Sequence, residues 1–258
     1  PLKAALGRLC ALTNASVMEA LYALAAVGAL AYIVWSIAAS FRAKGHRKDR
    51  AYSAALGAAD ICLTVYVLFC LMWGVNYWMD SFQDRAGITA QPVTETELEA
   101  VTRYFAEQLT AAADSVPRDE NGLYAVPKVQ ILEESTAAYG GVTELYPFLR
   151  FRDTGVKAVR CSRLMSIMGF TGVYFSCIGE SNVNVDSPAC LLPSTIAHEL
   201  AHQRGIAWEQ ECNFLGVLAS VTSGLPDYAY SGWLLGFIHL GNALYDTDPA
   251  AYWAIRDT

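Results

Sequence analysis

The chain is short of the residues on which several common functions depend. Among 258 residues there are only four histidines, His46, His198, His202 and His239, so an imidazole-based site has few residues to draw on. No Cys-x-x-Cys occurs, which removes the usual sequence support for a thiolate zinc site. Seven cysteines cannot all pair and do not make a disulfide framework in a chain of this length. Cys62 and Cys70 lie in an apolar run and are expected as small apolar residues, whereas Cys177 and Cys190 flank one loop and are candidates for a bridge. Positive charge is scarce beyond residue 79: residues 80–258 hold eleven Lys and Arg against twenty-two Asp and Glu, a net of −11. That excludes the basic footprint of a nucleic-acid-binding domain. Repeats and low-complexity tracts are also missing.

Charge is absent altogether from residues 20–41, a run long enough to cross a bilayer core of roughly 30 Å as a helix. A second apolar stretch, residues 51–78, has Asp60 as its only charge and ends in Trp73, Tyr77 and Trp78, where an interfacial aromatic belt is expected. These two runs raise the hydrophobic content to 54%, above the globular norm of about 45–50%. Two transmembrane helices are therefore expected, at about 17–41 and 52–78. The intervening residues 42–50 are strongly basic, and residues 1–79 carry seven Lys and Arg against three acids, a net of +4. The positive-inside rule then makes the loop cytoplasmic and everything after Met79 extracytoplasmic. A cleaved signal peptide fits poorly, because the first run is too long and lacks a small-residue cleavage site. The expectation is a multi-pass protein of the cytoplasmic membrane, with the lipid bilayer as partner, a membrane region over 1–79 and an extracytoplasmic domain over 80–258.

In that domain Thr94 and Glu97 form a capping-box signature, and Leu98, Val101, Phe105, Leu109 and Ala112 recur at helical spacing up to Pro117. A shorter helix is expected over about 127–138, starting on Pro127 and closed by Gly140-Gly141. Val156-Lys157-Ala158-Val159 and Gly172-Val173-Tyr174-Phe175 have the β-branched and aromatic content of short strands. Helices are expected again at about 195–203, with Ser194 as N-cap, at 208–221 and at 231–245. The fold class is α+β, mainly helical, with a small sheet.

The run that carries chemistry is His198-Glu199-Leu200-Ala201-His202. On a helix, i and i+4 share a face, so both imidazoles address one ion while Glu199 stands one step round the helix. Zinc suits such ligands and lowers the pKa of a bound water to about 7. Glu199 is then the general base that takes the water's proton and delivers it to the leaving amine. The third ligand lies in Glu209-Gln210-Glu211-Cys212-Asn213, just past Gly205. Glu209 is favoured over Glu211 because Asn213, one turn further on, can orient a ligating histidine from the same face. The string also resembles the Glu-x-x-Ala-Asn helix of Glu-zincin peptidases, in which the first Glu binds metal. Tyr230, expected in a loop entering a helix, is the candidate donor to the developing oxyanion, with an ordinary packed tyrosine as its other reading and with His239 and Arg204 as alternative donors. As an ordinary packing residue His239 reads as a core histidine, and Arg204 as a helix cap or partner of an acid. Glu180 and Asn182 read as a loop before the motif helix, either lining the cleft or forming a turn.

Gly172-Val173-Tyr174-Phe175, Gly179-Glu180-Ser181-Asn182-Val183-Asn184, the 195–205 segment and Glu209-Gln210-Glu211-Cys212-Asn213-Phe214 together resemble the bacterial domain-of-unknown-function 3810 family across nearly the whole chain. The resemblance implies a multi-pass membrane protein with an external His-Glu-x-x-His domain, and further sequence before Pro1 and after Thr258. It implies no substrate. Two functions compete: a membrane-anchored zinc metallopeptidase acting on extracytoplasmic peptides or proteins through a zincin-like (gluzincin) domain, and a membrane sensor or scaffold with a structural zinc. The presence of Glu199 favours the peptidase, since a structural site needs no base. Intramembrane proteolysis is disfavoured by the polar ends of the motif helix.

Overall fold

Residues 2–257 are described by a computed structural model. After a short helix, α1 (Leu2–Cys10), two 26-residue helices, α2 (Val17–Arg42) and α3 (Arg47–Met72), form a hairpin. Each is about 39 Å long at 1.5 Å per residue, and neither buries any of its apolar window in the protein. Ser16 caps α2 by accepting from the Glu19 N–H. The expected first span matches α2 closely. The second is displaced: α3 begins inside the basic segment and ends at Met72, and residues Gly74–Trp78 form a 3-10 turn that leaves the hairpin.

The rest of the chain is a helical body around a three-stranded sheet. Helices α4 (Phe82–Ala86) and α5 (Glu95–Ala113) follow, the latter with the expected Thr94–Glu97 capping box. Helix α6 (Lys128–Glu133) runs on into a 3-10 turn, and Gly140-Gly141 opens α7 (Gly140–Leu145) instead of closing the preceding helix. A close approach explains this: a Cβ on Gly141 would lie 2.0 Å from the Thr222 carbonyl oxygen. Strand β1 (Lys157–Ala158) leads to α8 (Ser162–Ile167), then to the hairpin of β2 (Gly172–Phe175) and β3 (Glu180–Val183). The sheet order is β1-β3-β2, with β3 parallel to β1 and antiparallel to β2. The Glu180-Ser181-Asn182 segment is thus the central strand and not a loop. All four residues of β3 are buried.

Helix α9 (Leu192–Gln203) lies against β2 and β3 and is backed by α10 (Glu209–Thr222) and α11 (Pro226–Thr247), with α12 (Pro249–Arg256) closing the chain. Pro193 occupies the first turn of α9, so the helix starts three residues before the expected Thr195, and Ser194 is interior. Its N–H donates to Ser231 Oγ at 3.0 Å, tying α9 to α11. Ile131, Tyr139, Leu149, Ile196, Leu200 and Leu215 fill the core around α9. Cys177 and Cys190, the candidates for a bridge, are both free.

Candidate metal centre

Burial of α9 on nearly all sides fixes the direction of its polar side chains. His198 and His202 stack edge to face with ring centroids 4.9 Å apart. His202 Nδ1 lies 2.9 Å from the Ile206 carbonyl oxygen, which can only accept, so Nδ1 carries the proton. His198 Nδ1 is likewise 2.9 Å from Asn213 Oδ1. Both rings therefore present the Nε2 lone pair to the other side, where Glu209 stands. Its carboxylate oxygens lie 3.2 Å from His198 Nε2 and 3.5 Å from His202 Nε2. Burial, with the neighbouring His202 second, pushes the His198 pKa down to about 4 against the opposing pull of Glu209, which keeps its lone pair available at neutral pH. The two Nε2 atoms and the Glu209 carboxylate are thus grouped together, and imidazole and carboxylate are donor types that zinc accepts.

Glu211, the alternative third ligand, is buried and committed elsewhere. Its carboxylate accepts from the N–H groups of Phe82 and Gln83 at 3.0 and 3.1 Å, holding the start of α4. Cys212 was not among the sequence candidates, yet its ligating atom and those of the two histidines fall within 4.8 Å of one another. Its thiol lies 3.3 Å from His202 Nδ1, on the ring edge opposite Glu209. Burial, followed by Glu209, Glu199 and Glu211, raises its pKa, so it remains a thiol packed behind the ring.

Glu199 is buried beside this cluster. The Tyr174 N–H donates to its carboxylate, and Oε2 has no partner among the described residues. Burial, with Glu209 second, raises its proton affinity well above that of an ordinary carboxylate. Space for it is made by Gly172, where a Cβ would fall 2.4 Å from Oε1. A cavity of about 540 Å³ opens over the cluster, bordered by Gly172, Tyr174, Thr195, Leu235 and Trp73. Trp73, at the end of α3, packs 5.5 Å from the His202 ring and 5.4 Å from Tyr174. Sequence reasoning assigned Trp73 to an interfacial belt and missed this role.

Other expectations fail on placement. Tyr230 lies within α11, not in a loop, and stacks on Tyr124 at 5.7 Å without lining the cavity. Pro226 in the first turn of α11 starts that helix earlier than periodicity suggested. His239 is exposed on α11, in a different groove. Arg204 forms the expected acid pair, with Nη1 and Nη2 at 2.6 and 2.8 Å from Asp153. Glu180 lines no part of the cavity; it forms a buried pair with Lys157 at 2.7 Å and accepts from Met18 N–H at 3.0 Å at the start of α2.

Comparison with known families gives one match, to the family described as Protein of unknown function (DUF3810), over residues 1–258. The chain belongs to this family. No curated protein and no solved structure matches it. The match spans the hairpin and the histidine cluster alike.

Proposed function

We propose that this DUF3810 protein is a membrane-anchored zinc metallopeptidase with a zincin-like, Glu-liganded site. The observation that carries the reading is the convergence of His198 Nε2, His202 Nε2 and the Glu209 carboxylate beside a buried Glu199 that is free to act as a base. His198, His202 and Glu209 would hold the metal. Zinc, when bound, supplies Lewis acidity that brings the pKa of water to about 7. Asn213 and the Ile206 carbonyl fix the tautomer and tilt of the two rings. Glu199, with its raised proton affinity, takes the proton of the attacking water and passes it to the leaving amine. The burial of Glu199 behind Gly172 limits competing bulk water. Tyr174, rather than Tyr230, is the tyrosine at the cavity, and burial pushes its pKa up to about 12, so its hydroxyl stays protonated as a donor to the developing oxyanion. Strand β2 is the sheet edge bordering the same cavity, with hydrogen bonds to β3 on one side.

The membrane reading rests on length, apolar exposure and placement. Helices α2 and α3 expose their apolar windows, and the contacts of the hairpin with the body are made from the start of α2 and the end of α3, opposite the basic 42–50 turn. With that turn cytoplasmic, the site faces the extracytoplasmic side, where its substrates are peptides or proteins. A zinc sensor or scaffold remains the second reading, because the hairpin touches the site through Trp73. The decisive experiment is Glu199→Gln in the full chain, with zinc measured by elemental analysis and turnover on a quenched-fluorescent peptide library. Retained zinc with hydrolysis lost supports the peptidase. Undiminished hydrolysis eliminates the mechanism, and a wild-type protein that holds zinc but cleaves nothing favours the sensor.

A further inference from the structure

A second cavity, of about 590 Å³, lies on the other face of β2. Strand alternation creates the division. Gly172 and Tyr174 turn towards Glu199 and Trp73, whereas Val173 and Phe175 pack on the cluster of Met18, Val159 and Met165. Met18 and Tyr22 of α2 form one wall, and Met165 and Met168 of α8 and its following turn form another. Phe170 and Val173 line this cavity and the histidine cavity alike. Among the described residues Glu19 is the only charged one lining it, and its carboxylate is taken up by the Arg160 and Cys161 N–H groups, each at 2.8 Å. What remains is apolar, rich in adaptable methionine and within the usual size of a ligand pocket.

Its depth identifies the occupant. Tyr22 stands three residues past Glu19, roughly 5 Å further along α2, within the uncharged run that begins at Ala20. The Tyr22 ring meets Phe175 at 5.4 Å, so β2 reaches down to the level where the lipid-facing surface of α2 starts. Beside it, Leu164, Ile167, Met168 and Phe170 are exposed on one tip. The cavity thus borders the apolar surface of α2 on one side and, on the other, shares Phe170 and Val173 with the histidine cavity.

We propose that the substrate is a lipid-anchored peptide whose acyl chain occupies this cavity while its peptide crosses Phe170 and Val173 to reach Glu199. The proposal rests on the peptidase and membrane readings above. A phospholipid would use the apolar cavity alone and gain nothing from the shared partition.

The test uses full-length Glu199→Gln protein in lipid nanodiscs. The probes are an N-palmitoyl peptide bearing a diazirine on the acyl chain and, separately, a diazirine phosphatidylcholine; adducts are mapped by mass spectrometry. The acyl-peptide probe is expected to label residues 164–173 or 18–23. Unlabelled palmitoyl peptide should compete, with the unacylated peptide weaker by on the order of 100-fold or more. Met165→Trp, which fills the cavity, should reduce this labelling at least about tenfold. Equal labelling of the cavity by phosphatidylcholine that palmitoyl peptide does not displace would overturn the proposal, making the cavity a bilayer-lipid site. Labelling confined to α3 would do so as well. Failure of the phosphatidylcholine probe to label the middle of α2 or α3 would instead remove the membrane reading. Since labelling needs neither zinc nor turnover, failure of the peptidase reading shows separately, as absence of hydrolysis in the wild type.

Discussion

Replacing Gly172 by alanine exchanges a hydrogen for a methyl group, and the structure puts that carbon 2.4 Å from Glu199 Oε1 and 2.7 Å from its Cδ and Cγ. Ordinary contact begins near 3.4 Å, so the carboxylate must retreat by about 1 Å, and since Cγ clashes too, rotating the terminal group alone does not clear the strand. A displacement of about 1 Å at a reacting group costs on the order of 100-fold in rate, while overpacking of this kind costs about 1–3 kcal/mol in stability. The three atoms nearest the new Cβ all belong to Glu199, so the first strain falls on the base and not on His198, His202 or Glu209. Gly172→Ala is therefore expected to keep its zinc and remain folded, and to lose about two orders of magnitude in kcat on a fluorogenic peptide. Glu199→Asp should be impaired alone by its shorter reach but should relieve the clash, so the double variant is expected to lose less than the product of the two single losses. Metal content by elemental analysis, thermal unfolding in detergent and kcat on the four proteins complete the cycle. A fully active Gly172→Ala, or one that loses zinc before activity, would refute the placement of Glu199 as the base pressed against β2.

Three further outcomes separate the roles assigned here. Glu209→Ala is expected to weaken zinc binding with little change in stability, because its side chain is largely exposed; Glu211→Ala should keep zinc affinity but lower the unfolding temperature, as it strands the buried Phe82 N–H. Glu180→Gln removes the acid from a buried pair and is expected to cost about 3–5 kcal/mol, read as a lower unfolding temperature and as faster proteolysis between α1 and α2. Asp227 is buried, and burial, with Glu134 second, raises its pKa above 3.8. The folded state holds that proton more tightly than the unfolded chain does, so stability falls as pH rises past about 4. Asp227→Asn should then unfold at a higher temperature than wild type at pH 7, with the difference shrinking towards pH 3–4; an equal difference at both pH values would contradict the assignment.

What could be read from the sequence was whatever depended on spacing along one element. The two imidazoles four residues apart, the Thr94–Glu97 box and the uncharged run of α2 appear in the structure where periodicity put them. Glu209 was chosen over Glu211 on its i, i+4 relation to Asn213, and the structure brings Glu209 and Asn213 to the two histidines. Features that depend on distant partners were hidden. Glu180 follows Gly179 in a polar string that resembles a turn, and its meaning comes from Lys157 and from the start of α2, 162 residues away. Gly140-Gly141 looks like a helix stop until Thr222 is brought against it. Tyr230 looked available for chemistry because Pro226 was not taken as a helix start, and the extra turn turns its ring to Tyr124.

The hairpin and the metal centre are joined at two points, and each contact acts on a different part of the chemistry. At the start of α2, the Val17 and Met18 N–H groups donate to Glu180 of β3, which also pairs with Lys157 of β1; the next residue of β3, Ser181, donates its hydroxyl to the Glu199 carbonyl at 3.2 Å and accepts from Gln203 at 3.3 Å. From α3, Trp73 closes one wall of the cavity against His202 and Tyr174. Sliding α2 relative to α3 would therefore shift the strand that braces the α9 backbone relative to the ring that covers the ligands. On the peptidase reading, a hairpin set in a bilayer would hold Glu199 in a fixed alignment with its substrate, because the start of α2 and helix α9 are both hydrogen-bonded to β3 and the residue ending α3, Trp73, packs on Tyr174 of β2.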